Sequence, residues 1–370
     1  MTGPRLYSLA WRNLWRQKMR TFLTLCAIAF GGFLAVFMTA VQDQSFADFI
    51  DTAARMGAGH VTIQHPDYAD SPTMANAIGG TDVIRSEAKG TKFVATAVDR
   101  TAGQTMLSTS EDSFGAFFIA YDPTEETYDT MRLSDGLVAG VMFEGPSDDG
   151  IVLGSVLAKN LGAELGDKIV FTLTDRNGEI VAGMQRLSGI LTTNTPSLDA
   201  GLALLPIGTI RSLVGYDPTE TSQVAVYLDD QRRANTVARK LALAVGAEAA
   251  VLTWDRIRPE IRSFVAMKVG GGRVMVGLIW VLVLAGIFNT IFVSVMERVR
   301  EFGIMRAIGY SPGQLFRLVM WESGLLALLG ILLGTPLTAM VYFPLNKNGW
   351  DMTAVYESGR NGSRPVSLSG

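Results

Sequence analysis

The 370-residue sequence is poor in the residues that build most sites: it has one cysteine and two histidines. The lone thiol, Cys26, can form no internal disulfide, which removes thiol pairs and cysteine-based zinc sites from consideration. His60 and His65 are five residues apart on a predicted strand, so they point to opposite faces and are poorly placed to share a metal. No other histidine remains for a catalytic triad. No G-x-x-x-x-G-K-[ST] loop occurs, and the one glycine cluster, Gly270-Gly271-Gly272, is followed by Arg273. ATP is therefore not bound through a phosphate loop of this chain, and any use of it requires a partner. Charge is also scarce. Only 18% of residues are Asp, Glu, Lys or Arg, against 48% hydrophobic, and the mean hydropathy is +0.25. This excludes a disordered chain and an ordinary soluble enzyme, and it implies a membrane.

The apolar residues are concentrated in three blocks. Thr21 to Val41 carries no Asp, Glu, Lys, Arg or His, and at about 1.5 Å per residue it reaches roughly the 30 Å of a bilayer core. Val274 to Val295 is a second predicted span. Leu318 to Phe343 is a third, with Glu322 near its start and Pro336 near its end. Between the first two lie residues 42–272, an insert with 30 Asp or Glu against 19 Lys or Arg, net −11. The net charge of −3 for the chain is thus an average of unlike parts. Arg5, Arg12, Arg16, Lys18 and Arg20 precede the first span, and Arg298, Arg300, Arg306 and Arg317 separate the second from the third. The positive-inside bias makes both segments cytoplasmic, the acidic insert outward-facing, and the 344–370 tail outward as well. Such an insert disfavours nucleic-acid binding. A cleavable signal peptide is the rival reading of the N-terminus, but the apolar run is longer than such segments and no small-x-small site follows it. Residues 1–20 read instead as an interfacial helix, with Tyr7, Trp11, Leu14, Trp15 and Lys18 on one face.

The insert reads as a compact α+β domain without internal repeats. Strands are predicted at Gly59–Gln64, Lys92–Val98, Phe117–Tyr121, Gly150–Leu153, Lys168–Thr174 and Val224–Leu228. Helices are predicted at Ser155–Leu161, Arg232–Val245 and Asp255–Val269. Asn177-Gly178 signals a two-residue hairpin returning into Glu179–Val181. Gly270, Gly271 and Gly272 should break the helix at the membrane entry, as a hinge or as an unwound junction.

The most informative stretch follows the second span. An amphipathic continuation keeps Val299, Phe302, Ile304 and Met305 apolar among Arg and Glu and stops at Gly309. Ser311 is placed as an N-cap with Pro312 at the first helical position, opening a short helix that leads back into the bilayer. A rigid helix held there suits a push from a separate ATPase. Physics alone favours the other reading, a tight hairpin whose charges set topology.

The run NTIFVSVMERVREFGIMRAIGYSPGQL from Asn289 resembles the signature of the FtsX-like, or MacB-type, ABC transporter permeases, and LAWRNLWRQKMRT from Leu9 is similar to their opening. DPTEE from Asp122, LAKNLGAELGDKI from Leu157 and DAGLALLPI from Asp199 resemble the extracytoplasmic domain of the LolC and LolE lipoprotein-releasing permeases. The resemblance covers nearly the whole chain. It implies an α-helical membrane protein with a large α+β extracytoplasmic domain, in the cell inner membrane. The chain would be a non-catalytic permease subunit that pairs with an ABC ATPase and with a second permease, identical or paralogous. It would bind no cofactor itself, ATP and Mg being held by the ATPase, and would pass the stroke to its outward domain without necessarily passing substrate through the membrane core. Lipoprotein is the leading substrate class and an amphipathic small molecule or peptide the second. Carried over by position, the coupling helix is Ser311, Pro312, Gly313, Gln314, Phe316 and Arg317, oriented by Glu297, Arg298, Glu301 and Arg306. Glu322 is expected to snorkel to the interface, with a bond to the neighbouring helix as the alternative. Gly330 and Gly334 form a small-xxx-small pair suited to close helix packing.

Two departures stand out. The family normally has four spans, and three are predicted. The hairpin at Asp175–Gly183 is short where LolC carries a long extension that engages a soluble lipoprotein carrier. A competing class is an FtsX-like regulator that activates an extracytoplasmic cell-wall hydrolase. A sensor with an outward ligand domain fits the topology but requires a cytoplasmic signalling domain that the sequence lacks.

Overall fold

A computed structural model describes residues 8, 10–12, 14–16, 18–127 and 130–348. Tyr7 and residues 349–370 of the predicted tail lie outside the described residues. The chain divides into a helical unit, residues 1–45 with 266–370, and a sheet unit, Phe46–Val265. The division falls inside the expected limits of 42 and 272 because two helices run on past the apolar blocks. Helix α1 spans Lys18–Arg55.

Within the sheet unit the elements are β1 (Val61–Gln64), α2 (Thr81–Gly90), β2 (Val94–Ser108), β3 (Ser113–Tyr121), β4 (Leu137–Gly140), β5 (Gly150–Gly154), α3 (Ser155–Asn160), β6 (Lys168–Thr174), β7 (Ile180–Leu191), β8 (Leu202–Pro206), α4 (Ile207–Val214), β9 (Gln223–Leu228), α5 (Ala234–Val245) and β10 (Ala250–Thr253). The helical unit continues with α6 (Pro259–Glu297), α7 (Val299–Ala307) and α8 (Pro312–Asn348). Among the described residues, three helical stretches are long and apolar enough to cross a membrane: Thr21–Arg55, Arg262–Glu297 and Pro312–Met340.

The ten strands form one continuous sheet, and the long strand β2 joins its two parts. The N-terminal half of β2 pairs with β9 in the order β10-β1-β9-β2, all antiparallel. With α2 after β1 and α5 after β9, this is a β-α-β-β-α-β arrangement. Its core joins Val61, Ile63, Val224 and Val226 to Ala88 of α2 and Val237 and Leu241 of α5. The C-terminal half of β2 enters a closed ring, β2-β3-β8-β5-β7-β6, in which β6 returns to pair with β2. A ring of this size is filled by its own side chains. Leu107, Phe118, Ile151, Leu153, Ile169, Phe171, Leu187 and Leu205 fill it, all essentially inaccessible. Gly183 faces Phe171 across the β6–β7 ladder, and a Cβ there would collide with that ring.

Several expectations change in detail. The β6–β7 turn is a three-residue loop rather than a two-residue Asn-Gly turn. Asp175 N–H donates to the Glu179 carbonyl, only Gly178 has positive φ, at 86°, and the Asp175 carboxylate accepts from the Asn177 and Glu179 amides, both at 2.8 Å. The Asp175 carboxylate thus selects a bulged turn. Gly270, Gly271 and Gly272 do not break the helix; they lie inside α6. Their cost of about 1 kcal/mol each relative to alanine falls in a helix of 39 residues whose apolar run continues well past them. The predicted interfacial face splits: Trp11 and Trp15 are exposed, with ring centroids 6.0 Å apart, whereas Leu14 is buried with Ala10 against Leu318 and Leu325.

Candidate functional site

The site lies where α6 ends, α7 crosses and α8 begins. Helix α6 stops at Glu297 because Arg298 adopts φ −103° and ψ 7°, outside the helical well. Helix α7 closes in a Schellman turn. Gly309, at φ 106°, donates to the Arg306 carbonyl at 3.0 Å, and Tyr310 donates to the Met305 carbonyl at 3.1 Å. Ser311 then starts α8 through a reciprocal capping box: its Oγ lies 3.3 Å from the Gln314 amide, and its own amide donates to Gln314 Oε1 at 2.9 Å. Pro312 occupies the first helical position.

These caps separate the predicted coupling residues into two groups. Ser311 and Gln314 are used within the elbow, while Pro312, Gly313, Phe316 and Arg317 are exposed, Phe316 at 64%. Ser311–Arg317 does not form a short helix of its own. It is the cap and first turns of α8, and the short helix between the two apolar ones is α7. Ile304 of α7 and Ile308, just beyond it, are exposed beside Arg306, while Met305 turns inward against the Leu14–Leu318–Leu325 cluster.

Arg298 is the electrostatic centre. Its Nη1 donates to both carboxylate oxygens of Glu322, at 2.9 and 3.0 Å, and its Nε donates to Glu301 at 3.1 Å. Glu301 also accepts from Arg16 at 2.7 Å, and the Arg298 guanidinium lies 5.3 Å from the centre of the Phe302 ring. The Glu322 side chain, only 14% exposed, is therefore bonded to Arg298, the residue that joins α6 to α7, rather than snorkelling. Arg298 reaches it at the same level, and a nearly desolvated carboxylate is stabilised more by that fixed donor than by a stretch to the surface. The hydrogen bond from Arg298, followed by that from Arg16, holds the Glu301 carboxyl below its usual range. Glu297, Arg298, Glu301 and Glu322 line a pocket of about 180 Å³ together with Thr21, Thr24, Thr290 and Ser323. Sequence reasoning missed Arg16 as part of this network, since its partner lies 285 residues away. Arg306 is exposed and lies outside the network as described.

Helix α1 packs tightly against both neighbours. A Cβ on Gly31 would strike Val283 of α6, and one on Gly330 would strike Ile28; at Gly334 it would lie 3.0 Å from the Ala29 carbonyl. His60 is buried and His65 partly exposed. Among the described residues no group of three or more His, Cys, Asp or Glu is placed to hold a metal.

Comparison with known proteins accords with these features. Residues 21–243 match the MacB-like periplasmic core domain, and residues 273–356 match the FtsX-like permease C-terminal family. The lipoprotein-releasing system transmembrane protein LolC of Xylella fastidiosa is 27% identical over 198 residues, covering 51% of this chain and 46% of that protein. The chain thus spans about half the length of that LolC relative. The ABC transporter permease YknZ of Bacillus subtilis is 23% identical over 352 residues, 88% of this chain and 83% of that one. The periplasmic region of MacB from Actinobacillus actinomycetemcomitans superposes with a TM-score of 0.38 at 16% identity, covering 56% of this chain and 94% of that one. With its core domain and its C-terminal helices both matched, the chain belongs to the MacB/FtsX/LolC family of ABC transporter permeases.

Proposed function

We propose that the chain is the permease subunit of a mechanotransmission ABC transporter in the cell inner membrane, with its sheet unit on the extracytoplasmic side. A separate ATPase docks on the elbow, and its nucleotide cycle displaces α7 and the start of α8. The observation that carries this reading is the elbow's division of labour. Ser311, Gln314 and Gly309 lock its backbone, and the Arg298 network ties α7 to α8 and, through Glu301, to Arg16. Phe316, Ile304 and Ile308 are left exposed beside Arg306 and Arg317. A capped, ion-paired elbow with an apolar face and a basic rim suits a partner that pushes on it. The same elbow as a mere topological hairpin needs the charges but not the exposed Phe and Ile.

The substrate class is lipoprotein or another amphipathic molecule, as relatives named lipoprotein-releasing proteins and a macrolide exporter support. The test is purification of the intact membrane complex followed by mass spectrometry of every bound chain. An ABC ATPase and a lipid-modified protein are expected. A complex without any ATPase overturns the reading, and an extracytoplasmic hydrolase in place of lipoprotein shifts it to the regulator class.

A further inference from the structure

His60 is a fully buried polar residue of the sheet unit, and the elbow does not use it. Its side chain is fully inaccessible. Nδ1 lies 3.2 Å from the Leu228 amide of β9, and Nε2 lies 3.1 Å from Asp51 Oδ1 on the last turns of α1. A backbone N–H can only donate, so Nδ1 is the acceptor. The ring proton therefore sits on Nε2 and is donated to Asp51. Asp51 is held in turn by Arg55 Nε at 2.7 Å, with Arg132 at 3.6 Å.

The backbone of His60 extends the connection. Its amide donates to the Val226 carbonyl of β9 at 3.0 Å, and its carbonyl accepts from Trp254 at 3.1 Å. Trp254 begins the turn Trp254–Ile257 that delivers the chain into α6, and the Arg258 amide continues it by donating to the Trp254 carbonyl at 2.9 Å. Phe49 of α1 and Phe264 of α6 meet beside this point, with ring centroids 5.4 Å apart. One residue thus bonds to the end of α1, to a central strand, and to the turn that opens α6.

An apolar side chain of similar shape would fill the space. It would leave the Leu228 amide and the Asp51 carboxylate without this partner, and buried polar groups are costly to leave unpaired. A neutral imidazole offers one acceptor and one donor across a rigid ring, which the two hydrogen bonds to Leu228 and Asp51 require.

We propose that His60 is a positioning residue that fastens the end of α1 and the turn that opens α6 to the strands of the sheet unit, so that displacement of these two helices is delivered to the domain that handles substrate. The proposal rests on the transporter reading given above. It separates two conservative replacements. His60→Gln can still present an amide N–H to Asp51 while losing the imidazole acceptor for Leu228. His60→Asn, shorter, keeps an oxygen near the Leu228 amide and loses Asp51. Asp51→Leu removes the same bond from the α1 side and leaves the ring in place.

The test is hydrogen–deuterium exchange on the full chain with its ATPase in nanodiscs, nucleotide-free against ATP with vanadate. In the wild type, trapping is expected to change exchange both in the elbow, residues 297–317, and in the sheet unit at residues 223–228 and 234–245. His60→Gln should keep at least half of the sheet-unit change. His60→Asn and Asp51→Leu should keep the elbow change and lose at least four-fifths of the sheet-unit change. Should His60→Asn fail to accumulate in the membrane, Asp51→Leu carries the comparison. A purely structural role lowers the melting temperature of all three variants and leaves transmission intact, and that result overturns the proposal. Absence of an elbow response in the wild type overturns the transporter reading itself, and the proposal with it.

Discussion

At the residue scale, individual side chains are fixed by partners far away in sequence, which makes their roles hard to read in advance. Arg298 and Glu301 stood out by position, but the pairing of Arg298 with Glu322 depends on two helices meeting at one level. Removing the arginine strands a carboxylate that is only 14% exposed. Arg298→Ala is therefore expected to cost about 1.5–3 kcal/mol, seen as a lower melting temperature in detergent, and Glu322→Gln less. Asp199 shows the same principle in the sheet unit. Its carboxylate accepts from the Thr192 hydroxyl at 2.7 Å and from the Thr193 amide and hydroxyl at 2.8 and 2.6 Å. Burial raises its pKa, but these donors outweigh burial and hold it below the usual carboxylate value. A depressed acid contributes stability that is present above its unfolded pKa and is lost as pH falls through the folded one. Asp199→Asn should thus destabilise the domain by about 1–3 kcal/mol at neutral pH. The gap from wild type should close below about pH 4, as chemical denaturation at pH 7, 5 and 3 would show. The sequence marked Asp199 only as part of a motif; its donors combine a turn that folds back seven residues or fewer with the Ser155 hydroxyl, 44 residues away, at 3.3 Å.

At the element scale, local chemistry was the most legible. Gly309 as a stop, Ser311 as a cap and Pro312 at the first turn all follow from neighbours in sequence, and the structure adds that Gln314 completes the box. Gly309→Ala should cost about 1–2 kcal/mol because an L side chain is strained at φ 106°. Ser311→Ala should cost about 1 kcal/mol and raise amide exchange over residues 311–315. Strand lengths and helix breaks were less legible. Residues 94–108 form one strand although the sequence marks only its first part, because its two halves are held by different partner strands distant in sequence, β9 on one and β6 on the other. The glycine triplet proved no break, since propensity is a weak term in a long apolar helix. Glycine mattered instead at Gly330, where α8 meets Ile28 of α1. Gly330→Val should push these helices apart at a cost of about 1–3 kcal/mol, and a cysteine crosslink between flanking positions of α1 and α8 should lose efficiency.

At the scale of the whole molecule, the division into apolar helices and an acidic α+β insert follows from composition alone, because each part answers to a different solvent. The closure of six strands into a ring does not, because four of its six pairings join strands that are not consecutive in sequence. The central claim is that the elbow receives work from a separate ATPase and the rest of the chain delivers it. The most direct test replaces the exposed contact residues and spares the capping pair: Phe316→Ala with Arg317→Ala, the complex reconstituted in proteoliposomes with its ATPase, and ATP hydrolysis measured together with substrate release. The account predicts an assembled complex that hydrolyses ATP while substrate release falls at least tenfold. Substrate release at the wild-type rate per ATP would contradict it.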